Sequence, residues 1–163
     1  MVKDWGTALL IVVAVLWIWS WWRPESKESG PAPDFDVVRL DGSRATLGDL
    51  QESVVVLNFW ATWCGPCRAE IPEFVDFHEA NPDVGVYGIS IDDGISPQRL
   101  QALSRKLGVS YDVLLDATGK AADAYGVSSV PQTFVLDAQR DIRTRIAGST
   151  TRTRLERAVE RAR

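Results

Sequence analysis

The chain has 163 residues, 45% of them apolar and 25% charged. That is room for one globular domain, which usually takes about 100–200 residues, and it excludes long disorder, collagen-like repeats and a multi-span transporter. The net charge is −4, with residues 139–163 at +5 and the rest at −9, so nucleic acid is not expected as a partner.

Five of the seven tryptophans (Trp5, Trp17, Trp19, Trp21, Trp22) lie in the first 22 residues. Residues 5–22 (WGTALLIVVAVLWIWSWW) carry no charge. As a helix they would span about 27 Å, close to the hydrocarbon thickness of a bilayer, and tryptophans at both ends suit its interfaces. A cleavable signal peptide would have a shorter apolar region and an A-x-A-like site, and WSWWRPESKESG has none. A buried core helix would rarely carry such an aromatic cluster at its ends. Residues 1–22 are therefore expected to form one uncleaved N-terminal membrane anchor. Lys3 precedes the span while Arg23 and Lys27 follow it, so counting charges does not fix its orientation.

Residues 23–33 (RPESKESGPAP) read as a linker that holds a domain at 34–163 beside the bilayer, since 11 extended residues reach at most about 36 Å. Asp36–Leu40 and Arg44–Leu47 flank an Asp41-Gly42 turn and predict a hairpin. Val54–Trp60 (VVVLNFW) predicts a strand covered on both faces, followed by a helix from Pro66 to Ala80. Strands are expected at Val84–Ile91, Val113–Leu115, Thr133–Asp137 and Ile142–Ala147, and helices at Pro97–Leu107 and Lys120–Tyr125. A last helix from Thr151 has Leu155, Ala158, Val159 and Ala162 on one face. Strands alternating with helices imply an α/β sheet with helices on both faces.

Cys64-Gly65-Pro66-Cys67 sits where the buried strand ends and a helix begins. A helix N-terminus presents unpaired N–H groups and the positive end of the dipole, which favour a thiolate, and Pro66 suits the first turn. Cys64 is expected to be exposed and to attack a substrate disulfide, with Cys67 more buried and resolving the mixed disulfide. Zinc normally takes four ligands, and there is neither a second cysteine pair nor a nearby histidine, His78 being 11 residues beyond Cys67. A structural disulfide closing so short a loop would constrain the unfolded chain little, and two unrelated thiols would not explain Gly-Pro between them.

FWATWCGPCRAEIP at 59–72 resembles the active site of the thioredoxin superfamily, in its membrane-tethered TlpA/ResA-like (CcmG/DsbE-like) branch. The APDF segment at 32–35, Pro72 and GVSSVPQTFVLD at 126–137 extend the resemblance over roughly residues 31–163. It implies a thioredoxin fold with an N-terminal hairpin and a central insertion, here at 92–120. It further implies a redox-active Cys64–Cys67 disulfide with no cofactor and no metal. Pro131 matches the family's cis-proline, and Val130 would offer its backbone to an extended substrate; without the resemblance, Pro131 reads as an ordinary trans entry to a strand. Trp63, Gly65 and Pro66 are expected to touch substrate beside Val130 and Pro131, with Trp60 packed nearby.

Glu70 follows Cys67 by three residues, on the same helix face, and ResA-like proteins have a glutamate here that assists proton transfer. The alternative is a solvated first-turn glutamate that stabilises the dipole. Asn58 stands where cytosolic thioredoxins carry a buried aspartate, so acid–base help must come from another group, which favours Glu70. The arginines at 152, 154, 157, 161 and 163 read as a solvated helix face, with contact to anionic lipid as the weaker alternative.

The resemblance implies a monomeric thiol–disulfide oxidoreductase on the periplasmic or extracytoplasmic side of a bacterial plasma membrane. Its expected substrates are disulfides of apocytochrome c or of copper-site proteins, with electrons from a membrane donor of the CcdA/DsbD type. Gly-Pro between the cysteines resembles reducing thioredoxins rather than strong oxidants such as DsbA, which implies a reductant, with a potential nearer about −270 than −120 mV. Two other classes fit the sequence less well. A copper-binding assembly factor using Cys64 and Cys67 as ligands would be expected to show wider cysteine spacing and a separate histidine. A peroxidase of the peroxiredoxin group would need Pro-x-x-x-Thr-x-x-Cys, which Thr62 and Cys64 do not supply.

Overall fold

The computed structural model describes residues 30–163. The expected anchor at 1–22 lies outside the described residues, and among them no helix is long and apolar enough to cross a membrane. Strand β1 is Gly30–Pro31, which belongs to the stretch read as linker and pairs with β8 (Asp141–Ala147) at the sheet edge. The predicted hairpin forms as β2 (Asp36–Arg39) and β3 (Arg44–Thr46), with the Asp36 carboxylate and the Arg44 guanidinium paired across it.

Strands β4 (Val54–Trp60) and β5 (Val84–Ser90) are parallel and wholly buried, as their mostly apolar sequences, free of charge, suit. Between them runs helix α1 (Gly65–Ala80). Helix α2 (Pro97–Lys106) and strand β6 (Asp112–Leu115) follow, then the short helix α3 (Lys120–Ala124), strand β7 (Gln132–Leu136), β8 and helix α4 (Arg152–Glu160). The strand order β1-β8-β7-β4-β5-β6-β2-β3 makes one mixed sheet of eight strands. Segment 92–120, read from the sequence as an insertion, carries α2 and β6. Strand β6 runs parallel to β5 and carries the hairpin through the pairs Val38–Leu115 and Arg39–Leu114.

Alternating residues of β4 divide the core. Val55, Leu57 and Phe59 pack with Phe134, Tyr125 and the α3 alanines on one face. Val54 and Val56 pack with Phe74 and Phe77 of α1 and Leu155 and Val159 of α4 on the other. A third cluster joins Trp60, both cysteines and Ile71 to Leu100 of α2 and Leu115 of β6, so the insertion reaches the end of the sheet that bears the cysteines. Gly88 permits this closeness. A Cβ there would stand 3.0 Å from Trp60 Nε1 and 3.1 Å from Tyr111 Cε2, tighter than packed atoms allow without movement. The arginines of α4 lie on its outer face, with Leu155, Ala158 and Val159 turned inward.

Candidate active site

After Trp60 the chain leaves β4 through Ala61-Thr62-Trp63 and enters α1 with Cys64 as its N-cap, in extended conformation. The Cys64 sulfur accepts the Cys67 N–H at 3.1 Å, so a free helix-terminal donor points at the atom that would carry thiolate charge. Cys64 and Cys67 are joined as a disulfide with Cα atoms 5.3 Å apart. Gly65 and Pro66 are exposed between them, and Trp63 is 67% exposed while Trp60 is buried.

Cys64 departs from expectation: it is only 5% exposed, against 1% for Cys67. The cover comes from the far side of the sequence. The Val130–Pro131 peptide, immediately before β7, is cis, which sets aside the trans alternative, and it places the Val130 carbonyl oxygen 3.8 Å from the Cys64 sulfur. Around the Cys64 sulfur, Trp63, Gly65 and Pro66 are exposed and Val130 is half-buried.

Glu70 is 3% exposed, so the solvated-glutamate alternative is overturned. Its Oε1 accepts the Asn58 side-chain amide at 2.9 Å and its Oε2 accepts the Thr150 backbone N–H at 2.9 Å. Asn58 also donates to Thr133 Oγ1 at 3.2 Å, which ties β4, β7 and the loop before α4 to one carboxyl. Burial pushes Glu70 up to about 7, and the Thr150 and Asn58 hydrogen bonds offset part of that rise. A carboxyl one helical turn after Cys67 is thus set near neutrality, where it can both take and give a proton. Burial, and secondarily the Glu70 charge, raises the Tyr111 phenol well above its usual value.

The structure brings Cys64, Cys67, Trp63, Gly65, Pro66, Val130 and Pro131 to one end of the sheet, with Glu70 beneath on the Cys67 face of α1. Thr133 and Thr150, which hold the carboxyl with Asn58, escaped the sequence reading, because neither lies near the cysteines along the chain. Among the described residues no group of three or more His, Cys, Asp or Glu is placed to hold a metal ion.

The family model described as "AhpC/TSA family" matches residues 29–145, more than half of the chain. The chain belongs to the AhpC/TSA family. It is 30% identical to the thioredoxin-like protein YneN of Bacillus subtilis over 98% of this chain and 99% of that one. It is 32% identical to the thiol-disulfide oxidoreductase ResA of B. subtilis, covering 76% of this chain and 69% of that protein. Among solved structures, a putative thiol:disulfide interchange protein DsbE from Chlorobium tepidum superposes with a TM-score of 0.73 at 26% identity, over 83% of this chain and 96% of that one. With its disulfide at the head of α1, this family member is a thiol–disulfide oxidoreductase of thioredoxin-like fold.

Proposed function

We propose that this family member is a membrane-tethered reductant of protein disulfides outside the cytoplasm. The observation that carries the chemistry is Cys64 as the N-cap of α1, its sulfur receiving the Cys67 N–H. In the reduced enzyme that donor stabilises the Cys64 thiolate. The thiolate attacks one sulfur of the substrate disulfide, the substrate S–S bond breaks, and its second sulfur leaves and takes up a proton. Cys67 then gives its proton to the Glu70 carboxylate and attacks the Cys64 sulfur. The Cys64–Cys67 bond forms and the first substrate sulfur leaves as a thiolate, which takes the proton. Two electrons pass from the dithiol to the substrate, and no cofactor enters.

The substrate segment lies extended against Val130 and Pro131, with Trp63, Gly65 and Pro66 forming its floor. The tether is the apolar segment 5–22, and the side of the membrane follows from the resemblance to ResA-like proteins. The same resemblance supports heme-binding cysteines of apocytochrome c or cysteines of copper sites as targets, with a CcdA/DsbD-type membrane donor restoring the dithiol. Gly-Pro between the cysteines supports the reducing direction.

The test is a Cys67→Ser trap in the source membrane. Cys64 then cannot release its partner, and a disulfide-linked protein bearing one of these cysteine pairs is expected. Normal levels of the variant with no linked partner would refute the reading. A potential above the middle of the interval between about −270 and −120 mV would reverse the direction.

A further inference from the structure

One buried carboxyl has no part in this scheme. Asp92, 6% exposed, lies just past β5 and opens the inserted segment that carries α2 and β6. Its Oδ2 accepts the Thr62 backbone N–H at 2.9 Å, and its Oδ1 accepts the Thr62 hydroxyl at 2.6 Å. The Ser90 hydroxyl donates to Oδ2 at 2.7 Å, and the Asp92 N–H donates back to Ser90 Oγ at 3.2 Å. Next to this cluster the Ile91 N–H donates to the Trp60 carbonyl at 2.9 Å, extending the β4–β5 ladder to the start of the loop.

Asp92 thus fixes both the backbone and the side chain of Thr62, which lies two residues before Cys64 and next to the exposed Trp63. Nothing in a minimal strand–loop–helix junction requires a carboxylate from another segment here. Burying one is costly unless its acceptors are filled, and here three donors fill them.

We propose that Asp92 is a positioning residue for the exchange reaction: through Thr62 it holds the 61–63 loop so that the Cys64 sulfur stays within reach of the Cys67 N–H. The insertion then serves the active site as well as the sheet. With the hold released, the sulfur loses that donor, its thiolate is less stabilised, the dithiol is disfavoured relative to the disulfide, and attack slows. The inference rests on the reading of Cys64 as the attacking thiol.

The test uses the purified full chain with two readouts: iodoacetamide alkylation of Cys64 at pH 7 in a Cys67→Ser background, and the equilibrium of the intact pair with glutathione. Thr62→Val removes the hydroxyl and leaves the Asp92 charge in place. It is expected to slow alkylation and to shift the glutathione equilibrium toward the disulfide, each by about threefold, the scale of a fraction of one charge-assisted hydrogen bond. Thr62→Ser restores the donor and should restore both values. Asp92→Ala loses both Thr62 contacts and should lower kcat/KM on a protein disulfide about tenfold. Val159→Ala, in the core beneath α4, destabilises the fold away from this cluster and should leave both readouts at the parent values.

If Thr62→Val and Thr62→Ser both match the parent while Cys64 is reactive, the positioning role is refuted and the attacking-thiol reading stands. If parental Cys64 reacts no faster than a free cysteine, the attacking-thiol reading is refuted and the inference falls with it. A Val159→Ala variant that moves both readouts as Thr62→Val does would also overturn it, by assigning the effect to stability.

Discussion

Replacing Glu70 with glutamine isolates the energetic consequence of burying this carboxyl. Below its unfolded value of 4.5 the group is protonated whether the chain is folded or not, and burial then carries no ionisation penalty. As pH rises toward the folded value of about 7, the unfolded chain gives up the proton first and the folded protein loses stability. The gap between these two values corresponds to about 3 kcal/mol, reached gradually between pH 4.5 and 7 and complete above it.

Glutamine does not titrate, so the variant lacks this loss. It carries a separate penalty at every pH, because its amide NH2 must face either the Asn58 or the Thr150 donor, an unmade hydrogen bond that costs about 1–3 kcal/mol. Urea denaturation of oxidised wild type and Glu70→Gln across this range separates the two effects. The variant should be the less stable at pH 4.5 and should gain about 3 kcal/mol on wild type by pH 8.5. A difference that stays constant with pH would mean that Glu70 titrates as an ordinary surface glutamate, and would remove it from the proton transfer.

Removing the Asn58 donor by Asn58→Ala should push the Glu70 titration above about 7, read by infrared titration of the carboxyl against Glu70→Gln, because that hydrogen bond stabilises the charged form. Trp63→Ala should change unfolding stability by less than about 0.5 kcal/mol, since the ring is 67% exposed, but should raise KM for a protein disulfide in an insulin-reduction assay. Gly88→Ala should destabilise by about 1–3 kcal/mol in urea titration, because the added Cβ meets the Trp60 indole and the Tyr111 ring inside a packed core. Cys64→Ser should abolish insulin reduction and trap no mixed disulfide, whereas Cys67→Ser should abolish turnover and accumulate it.

Local physics made most elements readable. Residues 54–60 and 84–90 are apolar enough to require cover on both faces, and they are the two central parallel strands. The alternation of 141–147 places Ile142, Thr144 and Ile146 inward and Arg143 and Arg145 outward. Pro66 and Pro97 mark two helix starts, because a first turn needs no N–H. The order of strands was less readable. The hairpin reaches the sheet only through β6, and no periodicity in Asp36–Arg39 names Leu114 and Leu115 as its partners.

The burial of the site was illegible for the same reason. Seen from its own helix, Cys64 is the exposed first residue; what covers it is Val130, 66 positions along the chain. Glu70 has the sequence signature of a helix-surface residue, and its burial depends on Thr150, 80 positions away, and on Asn58 from β4.

Asn58 is nevertheless where the sequence held the decisive hint. An aspartate there would put a second carboxyl 2.9 Å from Glu70, and the two would have to share a proton. An amide cannot shuttle protons, but it can donate to a carboxyl, which leaves Glu70 as the titrating partner of the pair. The departure at 58 and the buried acid at 70 are thus two halves of one arrangement. In the proposed scheme it puts proton handling on α1, one turn after Cys67, where a group near neutrality can take the Cys67 proton as the Cys64–Cys67 disulfide forms.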